Sequence, residues 1–526
     1  MSKNKLKVLD CTLRDGGYYN DWRFSNQIVQ EYVKSVNLSK IDVLEIGFRF
    51  LKKNNLGIFA NSFDKQINRL IFRKNLKIAV MLNASDFDFS EDYKSQISKY
   101  FSLRRNSKIS IVRIATHLKD IKKIIPHIKF LKKFGYHIVV NLMQIDKVNS
   151  KELISSLNIL RKSQSINTFY FADSFGSLNP NDVKNICNII KKNWNKEFGF
   201  HAHDNCGLAL QNALTAIKYG AKWIDSTIQG MGRGAGNVAT EDLLCEINHI
   251  YKFKYNLEPI FNLSQNEFKK LKQSYKWGKS IYYHLSAKLQ IHPTYIQELL
   301  KDDRYNHQEI LEIINSLGKI KSSSYSSFML NNFINEKINF KKCWNSKNWC
   351  KNKNILILGQ GQSIKKYNNF LLNFVKKNKC FVLSLNINKH FNKKLIKYFV
   401  VSNESRMLVD FAKYKTITRK LIMPMDRANR ILGKLITKKT KNYGFIVKKD
   451  HFDYYDKYCI LPNSLAIGYA IAVSLSGGCK RVFLAGFDGF KMSNPKNREM
   501  KNYLDFLKVK TNLKISSITP SRYFKS

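Results

Sequence analysis

Eight short β-branched or aromatic segments recur about every 31 residues in the first half of the chain, and helix-length stretches separate them. This alternation predicts βα units and a parallel sheet, and eight even units in roughly 245 residues favour a closed (β/α)8 TIM barrel over an open doubly wound sheet. After a helical stretch, a second strand, glycine turn and helix begin near residue 350. The expected fold class is therefore α/β. The barrel should occupy residues 1–250, a helical extension and linker 251–345, and a Rossmann-like domain 350–526.

The eight predicted strands span residues 6–12, 41–48, 77–83, 109–115, 137–143, 168–173, 198–203 and 223–229. Representative helices fall at 27–36 and 180–192. The extension carries helical runs at 266–275, 281–289 and 308–317, and Pro293 suits the first turn of another helix. Residues 322–327 form a serine-rich joint. In the second domain, strands are expected at 355–358, 380–386, 398–402 and 481–485, with a helix at 464–474. The polar, Lys-rich stretch after Ser493 is expected to be a loose tail.

With 90 Lys and Arg against 39 Asp and Glu, the net charge is +51. Arg accounts for 18 of these residues and Lys for 72, spread along the chain with abundant Asn and Ile. Base and phosphate recognition leans on the planar Arg fork, so the excess points to compositional drift rather than a nucleic-acid surface. Neither a run of about 18 apolar residues nor a secretory signal is evident. Nine cysteines without a CxxC pair fit reduced thiols in the cytoplasm better than disulfides or structural zinc.

Polar residues gather at the C-terminal ends of the predicted strands, where such barrels place their chemistry. Strand 1 ends in Thr12, Arg14 and Asp15, and strand 2 carries Glu45. Strand 4 carries Arg113, strand 5 Asn141 and strand 6 Asp173. Strand 7 supplies His201 and His203, whose alternate spacing turns both imidazoles to one side. The glycine loop after strand 8 ends at Asn237. Two imidazoles, a carboxylate from Asp15 and an amide oxygen from Asn237 make a mixed N/O donor set for a divalent metal.

LDCTLRDGGYYNDW, VLEIGF, HAHDNCGLAL and GMGRGAGNVATED, in that order, resemble the DRE-TIM metallolyase superfamily over residues 6–300. That group includes HMG-CoA lyase, the isopropylmalate and citramalate synthases and the 4-hydroxy-2-oxovalerate aldolases. The resemblance implies Asp15, His201, His203 and Asn237 as metal ligands, with Mn2+ or Mg2+ as the leading metals and Co2+ or Zn2+ as alternatives. It makes Arg14 the motif arginine and Glu45 the motif glutamate. It implies cleavage or formation of a C–C bond in a 2-oxo acid through a stabilised enolate, with Arg113, Asn141 and Asp173 lining the substrate pocket. The aldolases carry a histidine base shortly after the motif; this chain has Gly17, Tyr18 and Tyr19 there, which makes Tyr19 the candidate in its place. The glycine loop lacks the HMG-CoA lyase cysteine. WGKSIYYHLSA and IHPTYIQELL resemble the aldolases' extension, with Tyr282, Tyr283 and Tyr295 as candidates for its assisting tyrosine. An acetyl-CoA-dependent Claisen condensing enzyme is the alternative, and an inactive scaffold with a basic surface a third.

GQGQS, FVVSN and CKRVFLAGFDGF resemble sialyltransferase-like and DUF115 surface-glycan proteins over residues 350–490. That resemblance implies phosphate contacts from Gly359, Gly361 and Ser363 and a role in surface-polysaccharide biosynthesis. Candidate partners are a small 2-oxo acid, a nucleotide-sugar at the C-terminal domain and a second copy of the chain, with no specific nucleic acid.

Overall fold

A computed structural model of the chain describes residues 6–50, 56–253, 255–301, 307–319 and 342–524, with breaks at 389, 404–405, 408–409, 411–412, 415–416, 418–419, 426–427, 429–439, 449–450, 464, 490–494 and 512–513. Contacts divide the chain into two units, Met1–Gln297 and Glu298–Ser526. The serine-rich segment 322–327 lies outside the described residues.

In the first unit, β1 (Lys7–Asp10), β2 (Val43–Phe48), β3 (Lys77–Asn83), β4 (Ile109–Thr116), β5 (His137–Leu142), β6 (Thr168–Asp173), β7 (Glu197–Ala202) and β8 (Trp223–Ser226) form a closed parallel barrel. Closure comes from β1 against β8, with Lys7 to Asp10 registered on Trp223 to Ser226. Helices such as Asn26–Leu38, Ser150–Ser163 and Pro180–Asn193 return the chain between strands. The last two start with capping boxes, Asn149 with Glu152 and Asn179 with Asp182. The first strand is shorter than its sequence run. Asp10 accepts hydrogen bonds from the Thr12 amide and hydroxyl, which turns Thr12–Asp15 into a short helix.

Strand alternation sorts the core into two compartments. Val8, Leu44, Val112, Val140, Phe171 and Phe200 pack outward under the helices. Leu9, Val43, Ala79, Ile111, Val139, Tyr170 and Trp223 fill the barrel interior together with Cys11. Two residues further along their strands come Cys11, Glu45, Arg113, Asn141 and Asp225, while Gly199 leads to His201. The layer above the apolar plug is therefore polar, and that layer is the candidate site.

The extension remains with the barrel. Its helices include Lys269–Tyr275, Ile281–Lys288 and Pro293–Lys301. Trp277 Nε1 donates to Gln229 O at 2.9 Å and Gln297 Nε2 to Tyr18 O at 2.7 Å, so the extension is fastened to loops at the barrel mouth.

The second unit has β9 (Asn354–Leu358), β10 (Phe381–Leu385), β11 (Ile396–Val400), β12 (Lys420–Met423), β13 (Thr440–Asn442), β14 (Gly444–Val447), β15 (Asp453–Tyr454), β16 (Tyr458–Leu461), β17 (Arg481–Ala485) and β18 (Ile515–Ser517). Seven of them form a parallel sheet in the order β13-β12-β11-β10-β9-β17-β18, and β14-β16-β15 form a small second sheet. Strand order reverses between β9 and β17, a position where open α/β sheets leave a crevice. The stretch after Ser493 is not a loose tail: Pro495–Thr511 is helical and β18 extends the sheet beside β17. Its buried Tyr503, Leu504 and Leu507 are the apolar stripe that the dense lysines obscure in the sequence.

Gly199 sets the packing of the plug, because a Cβ there would overlap the Tyr170 ring and the Trp223 Cβ. Gly199→Ala is expected to destabilise the protein by about 1–3 kcal/mol, the usual cost of an overpacked core. Denaturant unfolding at equilibrium measures it.

Candidate metal centre at the barrel mouth

The polar layer is a continuous chain of buried charges. Arg14 Nε donates to Glu45 Oε2 at 2.8 Å, and Arg113 Nη1 donates to the same oxygen at 3.0 Å. Arg113 Nη2 donates to Asp225 Oδ2 at 2.6 Å, and that oxygen also lies 2.9 Å from His201 Nδ1. Arg14 Nη1 forms an ion pair with Asp15 Oδ1. Tyr170 completes the support, its ring 4.4 Å from the Arg113 guanidinium.

Both histidines are fixed in tautomer by their neighbours. A carboxylate and a carbonyl only accept, so His201 Nδ1–H donates to Asp225 and His203 Nδ1–H to Asp173 O, the latter at 2.8 Å. That leaves Nε2 as the nitrogen each ring can offer a metal, on His201 once the proton that Asp15 favours there is given up, which is the arrangement of a metal-ligating histidine held by an outer partner. His201 Nε2 lies 3.3 Å from Asp15 Oδ2. Asn237, bridged to His203 through the backbone, donates its Nδ2 to Asp15 Oδ2 at 2.6 Å, while its Oδ1 is buried without a partner. Asp15, His201 and Asn237 therefore meet through their side chains, and His203 adjoins them through its ring, 4.8 Å from that of His201, and its backbone bridge to Asn237. Their donor set of two imidazoles, a carboxylate and an orphaned amide oxygen fits a hard-to-borderline divalent cation.

Electrostatics agree with that chemistry. Burial alone would raise the Asp15 pKa, but Arg14 and His201 hold its carboxyl well below the ordinary range. Burial, with His201 and Arg233 beside it, pushes His203 down to about 3, so the imidazole is neutral. Burial opposes a proton on His201 too, yet Asp15 and Asp225 together raise its pKa. The field at His201 attracts positive charge. Cys11 Sγ lies within 4.8 Å of the Asp15 and His201 donor atoms, but burial raises its pKa well above the ordinary thiol value and its thiol donates to Ser226 O.

The remaining sequence candidates fall as follows. Asn141 is 3% exposed and shares the inward parity, with an unpartnered Oδ1. Asp173 has the opposite parity: its carboxylate accepts from the Ser177 and Leu178 amides, and it touches the centre through its carbonyl. Tyr19 is 7% exposed and donates to Gly234 O at 2.6 Å, and burial beside Tyr283 pushes its pKa far above the ordinary value. A hydroxyl so placed is a hydrogen-bond donor rather than a base at neutral pH. In the second unit, Gly359 N donates to Ala485 O, Gly361 N to Gly486 O and Ser363 N to the Asp488 carboxylate. Each amide offered to a phosphate thus already has an acceptor within the chain.

Sequence reasoning passed over Asp225, which joins Arg113 to His201. The available signal was a carboxylate two positions after Trp223 in an otherwise apolar strand. Arg233 and His292, near the same mouth, were also passed over.

A family model described as HMGL-like matches residues 5–266. The 4-hydroxy-2-oxovalerate aldolase of Carboxydothermus hydrogenoformans is 28% identical over 50% of this chain and 76% of that one. The enzyme of the same name from Geobacillus genomosp. 3 is 28% identical over 48% of this chain and 72% of its own. Among solved structures, the N-terminal domain of a candidate aldolase from Bacteroides vulgatus is 33% identical, with a TM-score of 0.52 over 58% of this chain and 99% of that one.

Two stability tests follow from the site. Glu45→Leu strips both arginines of their shared acceptor and is expected to cost about 3–5 kcal/mol, the penalty of breaking a buried ion pair; thermal unfolding measures it. Asp146, whose Oδ2 accepts from Ser177, is pushed up to about 6 by burial. A raised carboxyl pKa gives stability that is complete below the unfolded value near 3.9 and is lost as pH rises through the folded value. Asp146→Asn is therefore expected to gain roughly 1–2 kcal/mol on wild type between pH 4 and pH 7, read from urea midpoints.

Proposed function

This chain belongs to the HMGL-like family, and from that premise we propose that its first unit is a divalent-metal-dependent aldolase. The reaction we assign is cleavage of a 4-hydroxy-2-oxo acid to pyruvate and an aldehyde. The observation that carries this proposal is the pair of histidines with Nδ1 committed to Asp225 and to Asp173 O, their ring centroids 4.8 Å apart, with His201 Nε2 3.3 Å from the Asp15 carboxylate that Asn237 also holds.

Asp15, His201, His203 and Asn237 would hold the metal, which when bound supplies Lewis acidity to the oxygens of a 2-oxo acid. Arg14 Nη2 is buried, 3.9 Å from Asp225 Oδ2 and without a hydrogen-bond partner among the described residues, so it is a donor in reserve for the oxygen that gains charge as the C–C bond breaks. Glu45 holds Arg14 at Nε. Arg113 and Asp225 act through others: Arg113 holds Asp225, and Asp225 holds His201. Asn141, with its unpartnered oxygen, is a candidate contact to a substrate hydroxyl. Tyr19 positions the glycine loop and is not assigned the proton transfer.

For the second unit we propose ligand binding in the crevice between β9 and β17. A nucleotide-sugar is the candidate ligand, in line with a surface-polysaccharide pathway. Phosphate contact at Ser363 would require Asp488 to leave it. All nine cysteines are free, which supports a reducing, cytoplasmic setting. Among the described residues no helix is long and apolar enough to cross a membrane.

Calorimetric titration with Mn2+ and coupled detection of pyruvate test the assignment. His201→Ala is expected to abolish metal-dependent turnover, and Asp225→Asn to weaken Mn2+ binding roughly 10- to 100-fold. Arg14→Met should lower kcat about 10²- to 10³-fold with Mn2+ binding retained. Unchanged Mn2+ affinity in His201→Ala would overturn the metal centre. Acetyl-CoA consumption with a 2-oxo acid, without pyruvate release, would select the condensing reaction instead.

A further inference from the structure

Arg233 is the cation at the mouth that the proposed mechanism leaves unused. It lies half-buried in the loop between β8 and Asn237, its Nε is buried without a hydrogen-bond partner, and among the described residues it makes no ion pair. Its guanidinium stacks over Tyr18, 5.3 Å from the ring centroid. The loop around it is fixed on both sides: Tyr19 donates to Gly234 O, and the Ala235 amide donates to Asn205 Oδ1 at 3.0 Å. Gly232 abuts the Asn237 amide, since a Cβ there would come within 2.7 Å of Nδ2. Pro293 of the extension lies against Gly234, where a Cβ would meet it at 2.9 Å, and this brings His292 to the same place.

A fixed, partly dehydrated guanidinium with an unsatisfied N–H is costly unless something covers it, and the partner it matches best is an oxyanion. Its surroundings favour a ligand of that charge. Burial lowers the pKa of His292 and His117, and the positive charge of Arg233 lowers both further, so both are neutral imidazoles able to donate. The contact of Gly232 with the Asn237 amide, and the stacking on Tyr18, place Arg233 beside the metal-ligand cluster.

We propose that Arg233, with His292 beside it, forms a second anion subsite, and that the substrate is a 2-oxo acid carrying another anionic group, carboxylate or phosphate, at the end remote from its 2-oxo carboxylate. The placement of the substrate rests on the aldolase assignment above, but the subsite can be tested without turnover. In the Mn2+-loaded full-length protein, calorimetry compares 2-oxoglutarate, whose far end is a carboxylate, with 2-oxobutanoate, whose far end is a methyl. The dicarboxylate is expected to bind about tenfold more tightly or better, and Arg233→Met should bring that ratio close to one. Arg233→Lys, which keeps the charge and loses the fork, should retain an intermediate ratio. Unchanged Mn2+ affinity in each variant serves as the check on folding.

Equal affinities in wild type, or a ratio untouched by Arg233→Met, would overturn the subsite. Pyruvate release is then measured from 4-hydroxy-2-oxo acids ending in methyl, carboxylate or phosphate. A higher kcat/KM for a charged end, lost in Arg233→Met, supports the proposal, and the better of the two anions identifies the source. Discrimination in binding with no pyruvate from any of them would sink the aldolase assignment and leave the subsite standing.

Discussion

Everything at the barrel mouth depends on one buried carboxylate shared by two arginines. Glu45 Oε2 takes hydrogen bonds from Arg14 and Arg113, and through them it reaches Asp15 on one side and Asp225 with His201 on the other. Inside the barrel the effective dielectric is low, so none of these charges tolerates the loss of its neighbour. Arg14 and Arg113 stand against Asp15, Glu45 and Asp225, which leaves one negative charge in excess when both histidines are neutral. That excess accounts for the raised proton affinity of His201. A divalent cation in the same place would reverse the sign to one positive charge, and an anionic oxo acid would then neutralise it.

The barrel was legible because its inward and outward sets are both apolar enough to mark eight strands, and because its polar layer lies at a constant offset. Val43 to Glu45, Ile111 to Arg113 and Val139 to Asn141 are each a step of two, which keeps the side chain on the barrel's inner face. The same rule finds Asp225 after Trp223. It also separates Asp173 from the others: Asp173 follows Ala172 with outward parity, and its link to His203 runs through the backbone, which no side-chain pattern reports. Arg233 and His292 obey no strand rule. They meet because the extension returns over the glycine loop, a tertiary event without a local signature.

The second unit was legible in rhythm and not in detail. β9, β10, β11 and β17 are apolar runs flanked by polar residues, and they were placed within a residue or two. β13 and β18 are three residues long and partly exposed, so burial never forced an apolar pattern on them. The glycine turn after β9 also shows how a motif misleads. GQGQS has the spacing of an anion-binding loop, but the carbonyls of Ala485 and Gly486 and the carboxylate of Asp488 satisfy its amides from within. The glycines are needed all the same, because a Cβ at Gly359 would strike Gly486 O and one at Gly361 the Asp488 carboxyl. Close packing of the β9 and β17 loops demands the same residues as phosphate binding does.

The contrast between surface and interior settles what the net charge of +51 can do. A charge in water is screened within a Debye length of about 8 Å at physiological ionic strength. The surface lysines can therefore raise the local concentration of anionic substrates, but they cannot select among them. Selection needs a charge that is fixed, partly dehydrated and unpaired, so that a wrong partner leaves a real desolvation cost behind. At the mouth, Arg233 with its unpartnered Nε and no ion pair among the described residues meets that description, whereas Arg14 is already paired with Asp15 and Glu45. Gly232, the neighbour of Arg233, abuts the Asn237 amide, which sets Arg233 beside the cluster formed by Asp15, His201, His203 and Asn237. A substrate with a second anionic group at its far end covers that guanidinium, whereas a monoanion leaves it uncovered. The second charge of the substrate is thus written in one arginine out of 18, and the surface lysines set the approach rather than the choice.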